Sequence, residues 1–353
     1  MRNIRVVAYA SDSYACGHYR IVWPGEAAAR AGLDVKVVAA RGATGITALK
    51  LGHNVQLAEF PDCDVVVFQR PAGTFVADVI PLLQERGIAV VVDVDDDLER
   101  IHPSNPAFRG MHPRSNPNYN WANVRRACQT ADLVTVSTPA LLSRYAPHGR
   151  ARLLPNFLPA HALRPHEPAA QGSVGWAGSL HSHPGDLDVA AGALARLHAE
   201  GHELQFVGPG DGVEAALRLP SGSAWFAGEL EFEDWLPAVA RMGVGVAPLA
   251  QSTFNEAKSW LKPLEYSACG VPWVGSDLPE YRRLASLCGA PIAKKQRDWY
   301  PALKSLLTDR VRAAELSQAA SAAAETLVVD HHAHLWAEAW QTAADSARAT
   351  ARA

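Results

Sequence analysis

Residues 254–277 read FNEAKSWLKPLEYSACGVPWVGSD, and this is the most informative stretch of the chain. It places Lys258, Lys262 and Glu265 at intervals of four and three, so one continuous helix would carry all three on one face. Two ammonium groups near a helix start can hold a diphosphate, because the exposed N–H groups and the helix dipole also favour anions. A carboxylate further along can accept two hydrogen bonds from a ribose diol.

Two alternatives stay open for this stretch. Pro263 cannot donate a backbone hydrogen bond, so a loop or short turn at residues 254–261 followed by a helix from about residue 262 is as consistent with the sequence as one helix. The charged side chains could also form an ordinary solvated helix face, with an ion pair between Lys262 and Glu265 that contributes little to stability.

Outward from this stretch, short β-branched runs alternate with longer segments rich in Ala, Leu and Arg. The apolar runs are continuous, which is typical of a parallel sheet buried on both faces. Strands are predicted at residues 4–9, 35–40, 64–69, 88–94, 133–137, 174–177, 204–207, 224–227, 244–248 and 271–275. Helices are predicted at residues 75–86, 122–130, 190–200, 232–241, 264–268 and 299–307, and from residue 330 to the end.

A proline-rich stretch interrupts this alternation. Residues 154–173 contain four prolines, and this composition predicts an interdomain linker. The α/β pattern restarts after it, so the sequence predicts two doubly wound domains facing a cleft, at residues 1–160 and 161–330. Ligands of open parallel sheets sit at the carboxyl ends of strands, so motifs that directly follow strands carry the most functional information.

Composition excludes several classes of protein. The chain has 353 residues with 33 Lys and Arg against 36 Asp and Glu, a net charge of −3, so general nucleic-acid binding is not expected. The five cysteines form no CxxC pair, which argues against a zinc knuckle or a disulfide framework and favours a cytoplasmic location. No apolar run is long enough for a signal peptide or a membrane span, although peripheral membrane contact stays possible.

The segment LEYSACGVPWVGSD, residues 264–277, resembles the nucleotide-sugar signature of GT-B glycosyltransferases of the family 4, group 1 type. The resemblance implies two Rossmann-like domains, with Glu265 on the ribose of the donor. The family usually has a second Glu eight residues earlier, which contacts the donor sugar, and this chain has Ala257 there. Asn255 or Glu256 is the candidate to replace it.

The resemblance also implies a divergent branch, on the pattern FN-x-x-KS-x-x-K-x-x-E. In this branch Lys258, Ser259 and Lys262 would face the diphosphate. Family members commonly carry an Arg after the glycine that ends the first strand of the donor domain. This chain has Ser179 after Gly178, so the two lysines are the candidates for the missing positive charge.

Two more stretches of the second half are candidate donor contacts. In SVGWAGSLHSHPGDL, residues 173–187, Gly178 permits close backbone approach to a phosphate. His183 is either a loop residue or a phosphate or sugar contact, and Asp186 favours a helix-start role over a site role. The glycines of 205–212 favour a turn over a dinucleotide fingerprint. By resemblance, the loop around Gly228 and Leu230 touches the base.

In the first half, residues 11–24 (SDSYACGHYRIVWP) join the first strand to the first helix. Gly17, with His18 beside it, could let backbone amides approach a sugar or phosphate, and Arg20 could reach an anion. By resemblance this loop faces the acceptor. The alternative is an ordinary strand-to-helix loop with a helix cap.

Four carboxylates, Asp93, Asp95, Asp96 and Asp97, lie at or directly after a predicted buried strand, where they are costly unless solvated, paired or bound. Three interpretations compete: recognition or activation of an acceptor hydroxyl, a Mg²⁺ or Mn²⁺ site, and a helix cap with charged neighbours. The first assigns catalysis to Asp95 and Asp96 and acceptor binding to Asp97. GT-B folds generally need no catalytic metal, so neither metal nor cofactor is expected.

The resemblance implies a glycosyltransferase that moves a sugar from a UDP- or GDP-type donor, held by the second domain, to an acceptor hydroxyl held by the first. It also implies retention at the anomeric carbon and a final helix, residues 331–353, that packs back on the first domain. Rival hypotheses are a sugar-nucleotide epimerase or hydrolase and a non-catalytic nucleotide-sugar-binding protein. A DNA-base glucosylating enzyme shares the fold, but the net negative charge counts against it.

Overall fold

The computed structural model describes residues 4–39, 45–51, 54–168 and 172–352. The chain forms two compact units. The first unit comprises Met1–Ile101, Ala107–Phe157 and Val329–Ala353, and the second comprises His102–Pro106 and Leu158–Val328.

The strands include all ten that the sequence predicts. They are β1 Arg5–Tyr9, β2 Asp34–Val38, β3 Thr47–Leu51, β4 Asn54–Glu59, β5 Val65–Gln69, β6 Ala89–Val94, β7 Leu133–Val136, β8 Ala151–Leu153, β9 Val174–Ala177, β10 Leu204–Val207, β11 Trp225–Phe226, β12 Val244–Ala247, β13 Trp273–Ser276 and β14 Ile292–Ala293. Strands β3 and β4 form an antiparallel hairpin, and the others form two six-stranded parallel sheets.

The α-helices lie between the strands. They are α1 Ala15–Gly17, α2 Trp23–Arg30, α3 Thr74–Glu85, α4 Pro106–Met111, α5 Trp121–Thr130, α6 Pro139–Tyr145, α7 Asp188–Ala199, α8 Val213–Ala216, α9 Phe232–Ala240, α10 Thr253–Glu256, α11 Leu261–Ala268, α12 Pro279–Cys288, α13 Gln296–Thr308, α14 Arg310–Thr326 and α15 Ala333–Arg352. A π-helical turn at His18–Val22 joins α1 to α2, and 3₁₀ turns lie at Leu98–Arg100, Ala160–Ala162 and Val329–His332.

The sheet of the first unit has the order β2-β1-β5-β6-β7-β8. Every residue of its central strand β6 is buried, as the unbroken run of valines predicts for a strand covered on both faces. Helix α15 packs against this sheet and against α2. Trp336 and Trp340, spaced one turn apart on α15, are both buried there.

The sheet of the second unit has the order β11-β10-β9-β12-β13-β14. In chain order this is 3-2-1-4-5-6, the doubly wound arrangement in which the strand order reverses between β9 and β12. Ligands of such sheets bind at this reversal, outside the carboxyl ends of the two strands. The predicted Rossmann-like architecture is therefore confirmed, and it places the loops after β9 and β12 at the position expected for a ligand.

No helix among the described residues combines the length and the apolar character that crossing a membrane would require. All five cysteines are unpaired, and four of them are buried.

Candidate donor and acceptor sites

Helix α11 holds the reversal point of the second sheet through two side chains one turn apart. Nζ of Lys262 donates a hydrogen bond to the carbonyl oxygen of Ala177, the last residue of β9. The Tyr266 hydroxyl accepts from the N–H of Ala177 (3.1 Å) and donates to the carbonyl oxygen of Val246 (2.9 Å). Strands β9 and β12 pair only up to Gly245, and beyond it the Tyr266 hydroxyl replaces a hydrogen bond of the sheet.

Helix α11 is separate from α10, which decides between the two alternatives for the 254–277 stretch. Pro263 lies in the first turn of α11, where a missing N–H costs nothing. Lys258 lies in the link between α10 and α11, so the three charged side chains do not share one continuous helix. Lys258 nevertheless lies close enough to Lys262 for its ammonium to lower the pKa of Lys262.

Burial lowers the pKa of Lys262 to about 8, while Glu265 and Asp186 act to raise it and Lys258 to lower it. The ammonium lies over the indole of Trp176, 5.4 Å from the ring centroid. At neutral pH it is mostly charged, and an anion that approached it would stabilise that charge. Lys262 is thus a partly desolvated cation at the carboxyl end of β9.

Two glycines allow close packing at the strand ends beside this cation. A Cβ on Gly178 would lie 2.7 Å from the Trp176 ring and 3.0 Å from Lys262 Nζ. A Cβ on Gly208, after β10, would lie 2.3 Å from the carbonyl oxygen of Gly178, and the φ of Gly208 is +116°. Glycine is therefore required at residues 178 and 208 because neighbouring protein groups pack against them, and close approach of a phosphate to Gly178 stays a prediction.

Glu265 is buried, with 7% of its surface exposed. Its Oε2 accepts a hydrogen bond from the indole Nε1–H of Trp235 on α9, at 3.2 Å. The sequence analysis did not single out Trp235, because nothing local indicates a partner thirty residues away. The contact orients the carboxylate that the family resemblance assigns to the donor ribose.

Asp186 is a buried acceptor that joins three segments of the second unit. Its Oδ1 accepts from Asn255 Nδ2 (2.6 Å) and from the N–H of Ala250 (2.9 Å), and its Oδ2 faces Nδ1 of His183 at 3.0 Å. The sequence favoured a helix-start role for Asp186, but α7 begins two residues later, at Asp188. Asp186 instead holds two predicted donor contacts, His183 and Asn255.

The remaining predicted donor contacts lie around the same strand ends. Ser179 follows Gly178 and is half-buried, Glu256 is exposed at the end of α10, and Ser259 is half-buried before α11. Gly228 pairs with Gly208 through an isolated bridge, with a φ of +78°, and Leu230 follows two residues later, partly exposed. Their roles toward a ligand stay predictions.

In the first unit, the prediction that Arg20 reaches an anionic ligand is wrong. Its guanidinium is fully buried and forms a bidentate ion pair with Asp93 (3.0 and 2.7 Å). It also donates to the Leu154 carbonyl (2.6 Å) and to Asn156 Oδ1 (2.8 Å), while Thr135 donates to Asp93. Arg20 therefore ties the π-helical turn before α2 to the sheet rather than binding an acceptor.

The assignment of Asp97 to acceptor binding is wrong for the same reason. Its side chain is fully buried, and Oδ2 pairs with Arg144 (2.6 Å) and Arg100 (3.3 Å). The Tyr145 hydroxyl donates to its Oδ1 at 3.1 Å. With both oxygens occupied inside the protein, this carboxylate stabilises the structure after β6.

Asp95 and Asp96 share one cation, Arg70, which the sequence did not single out. Arg70 pairs with both oxygens of Asp95 and, at 3.3 Å, with Asp96, and it also lies 3.3 Å from the Cys16 thiol. Burial raises the pKa of Asp95, and Arg70 opposes the shift. Arg70 has a φ of +44°, a conformation unusual for any residue with a side chain. The pair Asp95–Asp96 stays a candidate acceptor contact, with Asp96 the more exposed of the two.

The loop after β1 is built around Asp12. Its Oδ1 accepts from the N–H groups of Tyr14 and Gly17, both at 3.0 Å, and a Cβ on Gly17 would lie 2.0 Å from the Asp12 carbonyl oxygen. Nδ1 of His18 lies 2.8 Å from the Tyr14 carbonyl oxygen. Glycine is thus required at residue 17 by the close turn, whatever binds there.

The Asp93–Asp97 stretch is not arranged as a cation site. Asp93, Asp95 and Asp97 each face a different arginine, as the contacts above describe. Across the described part of the chain, no three His, Cys, Asp or Glu side chains are grouped so that they could hold a metal ion.

We expect Tyr266→Phe to lower the free energy of unfolding by about 1–3 kcal/mol, because it leaves the Ala177 N–H and the Val246 carbonyl unpaired in a buried position. Urea denaturation followed by circular dichroism would measure the change. Tyr300→Phe, whose hydroxyl donates to Glu200 on the surface, is the matched control and should cost less than about 0.5 kcal/mol. Equal costs for the two variants would contradict a structural role for the Tyr266 hydroxyl.

Comparison with known proteins agrees with this architecture. The family model described as Glycosyl transferases group 1 matches residues 171–309, which lie entirely within the second unit. No curated protein matches the chain significantly by sequence.

Solved structures resemble the chain over nearly its whole length. A sucrose-phosphate synthase from Thermosynechococcus elongatus matches with a TM-score of 0.62 at 14% identity, covering 96% of this chain and 98% of that one. Anabaena HepE in complex with UDP and glucose matches with a TM-score of 0.60 at 12% identity, covering 95% and 99%. An alpha-glucosyltransferase in complex with UDP matches with a TM-score of 0.60 at 14% identity, covering 92% and 96%. The chain therefore has the GT-B fold of these proteins, and its residues 171–309 match the family of group 1 glycosyl transferases.

Proposed function

We propose that this protein transfers a sugar from a nucleotide-diphosphate sugar to an acceptor hydroxyl, with retention at the anomeric carbon. The observation that carries the proposal is the position of Lys262, a partly desolvated cation at the carboxyl end of β9, one helical turn before the oriented carboxylate of Glu265. The spacing suits a pyrophosphate next to a ribose diol. UDP is the preferred nucleotide, because similar structures were solved with UDP bound.

Lys262 and Lys258 would hold the diphosphate, and Glu265 would accept hydrogen bonds from the ribose hydroxyls. As the bond between the anomeric carbon and the diphosphate breaks, negative charge grows on the leaving oxygen. A fixed ammonium in a site that water reaches poorly stabilises that charge more than it stabilises the ground state. The electrophile is an oxocarbenium-like sugar, and Asn255 or Glu256 is the candidate to contact it.

Asp95 and Asp96 are proposed to contact the acceptor hydroxyl. Asp96 is the more accessible carboxylate, with 19% of its side chain exposed against 5% for Asp95. Arg70 would fix the orientation of both. The proposal needs no metal ion, because the lysines supply the positive charge.

Product analysis tests the proposal. The protein is incubated with UDP-glucose and with GDP-mannose, with and without panels of glycan, lipid, protein and small-molecule acceptors, and release of the nucleotide diphosphate is measured. Acceptor-dependent release with a glycosylated product supports transfer, and proton NMR of the new linkage tests retention. Turnover without any acceptor would indicate an epimerase or hydrolase instead, and binding without turnover would indicate a non-catalytic protein.

We expect Glu265→Ala to weaken UDP binding about tenfold, because the ribose loses a charged hydrogen-bond acceptor. The same substitution should leave the affinity for 2′-deoxy-UDP nearly unchanged, since that nucleotide has no diol to lose. Isothermal titration calorimetry measures both. Trp235→Phe, which removes the N–H that orients Glu265 together with part of the indole ring, should show the same selectivity with a smaller effect.

The two nucleotides make this test specific. A parallel loss of affinity for UDP and 2′-deoxy-UDP would mean that Glu265 supports the fold of the site and does not bind the ribose. Circular dichroism of both variants shows whether they are folded.

A further inference from the structure

One ring nitrogen of His183 is fixed by the protein and the other is not. Nδ1 lies 3.0 Å from Asp186 Oδ2, and Asp186 is buried with donors on its other oxygen from Ala250 and Asn255. An ionised carboxylate only accepts, so Nδ1 carries the proton and Nε2 is left with a lone pair. Among the described residues Nε2 has no hydrogen-bond partner.

The surroundings of His183 are mostly cationic. The charged groups that act on it are Asp186 on its own loop, Lys258 before α11 and Lys262 on α11. Two further groups belong to this environment. The charge of Glu265 raises the pKa of Lys262, and the charge of Asp186 raises the pKa of Tyr281 on α12. Two ammonium groups and one imidazole therefore converge on the loop after β9.

This loop is where the family commonly carries an arginine and where this chain has Ser179. The N–H of His183 donates to the Ser179 carbonyl oxygen at 3.0 Å, so the backbone turns back and brings residue 183 next to residue 179. An imidazole held in this turn can take the place of the absent guanidinium, provided that it carries a charge.

In the free protein the imidazole is neutral at pH 7. Burial lowers the pKa of His183 below its ordinary value, the hydrogen bond to Asp186 acts to raise it, and the two lysines lower it further. A bound diphosphate adds negative charge beside the ring and offsets the lysines. It therefore favours the imidazolium.

We propose that His183 takes up a proton from solvent at Nε2 when the nucleotide sugar binds, and that the imidazolium then donates to the diphosphate as its third cation. The inference rests on the proposed function. Asp186 stabilises the imidazolium through Nδ1–H, and the proton returns to solvent when the nucleotide leaves. Donor affinity accordingly rises as pH falls through the pKa that His183 has in the complex.

Calorimetry at pH 7.0 in two buffers of different ionisation enthalpy measures the protons taken up. UDP-glucose is the probe, because UDP itself has a terminal phosphate that titrates near pH 6. Lys262, with a pKa of about 8, is already mostly charged at this pH and accounts for only about 0.1 proton. We expect an uptake of about 0.5 proton or more for the unmodified protein.

Three variants separate His183 from its neighbours. His183→Gln should reduce the uptake to about 0.1 proton and weaken binding about tenfold. His181→Gln, at an exposed histidine of the same loop, is the matched control and should change neither. The double variant Ser179→Arg with His183→Gln should regain affinity without regaining proton uptake, because a guanidinium is always charged.

The outcomes distinguish this proposal from the proposed function. Binding of UDP-glucose with no uptake beyond 0.1 proton, or with equal uptake in His183→Gln, overturns the role of His183 and leaves the donor site standing. If UDP-glucose does not bind, a panel of UDP- and GDP-sugars is tested in the same way, and failure of all of them to bind overturns the proposed function itself.

Discussion

Lys262→Ala should lower kcat/KM for the nucleotide sugar by about 10²–10³-fold, the range seen when one preorganised group that stabilises transition-state charge is removed. Lys262 Nζ is held at the end of β9 by the Ala177 carbonyl, beside Gly178. Its charge faces the position proposed for the diphosphate, so the loss should be larger in kcat than in KM. Steady-state kinetics of nucleotide release would measure both.

The pH dependence of donor binding gives an independent check on Lys262. The charged form binds the diphosphate, and the pKa of about 8 in the free protein lies below that expected in the complex. The part of the UDP-glucose affinity that Lys262 contributes is therefore fully present below pH 8. It falls as the pH rises from 8 toward the pKa that Lys262 has in the complex. The guanidinium of the Lys262→Arg variant stays charged throughout. Deprotonation at this position should therefore not weaken the binding of UDP-glucose between pH 8 and pH 10.

Two further lysine variants test whether the kinetic effect is specific to the proposed diphosphate site. Lys36→Ala removes an exposed lysine from β2 in the first unit and should leave kinetics unchanged. Lys258→Ala should also weaken nucleotide binding, since Lys258 acts on the same region. Wild-type kcat/KM in Lys262→Ala, or a pH profile in which Lys262→Arg weakens like the unmodified protein, would contradict the assignment.

The elements and their order could be predicted because they depend on patterns within a few residues. A run of valines such as residues 90–92 is typical of a parallel strand that is covered on both faces. Pro263 restricts where a helix can begin. The hairpin β3–β4, the edge strands β8 and β14, and several helices, among them α6, α12 and α14, were not predicted. The segment of α14 is rich in alanine with polar residues on several sides, so it carries little apolar periodicity to indicate a buried face.

The donor site could be predicted in part, for a related reason. Lys262 and Glu265 lie within one turn of one helix, so their spacing is visible in the sequence. The hydroxyl of Tyr266 and the N–H of Ala177 lie 89 residues apart, and Trp235 lies 30 residues from Glu265. Such contacts depend on how the elements pack, which no local pattern encodes.

The first unit shows why a charged residue in a loop after a strand is ambiguous. Arg20 resembles a ligand contact in sequence, and its actual partner Asp93 is 73 residues away. We expect Arg20→Ala or Asp93→Ala to lower the free energy of unfolding of the first unit by about 3–5 kcal/mol, because each leaves a buried charge without its partner. Replacing both, as Arg20→Met with Asp93→Leu, should cost less than either single change for the same reason.

Chemical denaturation monitored by circular dichroism measures these costs, and a second ion pair supplies the control. Arg126 and Asp78 are 2.7 Å apart with half-exposed side chains, so Asp78→Ala should cost less than about 1 kcal/mol. The same variants decide what Arg20 does. A structural Arg20 predicts a destabilised first unit, whereas an Arg20 that binds the acceptor predicts unchanged unfolding and a raised KM for the acceptor alone. Because the guanidinium is fully buried and three neighbouring groups accept its hydrogen bonds, we expect the first result, and the second would require the ion pair to open during the reaction.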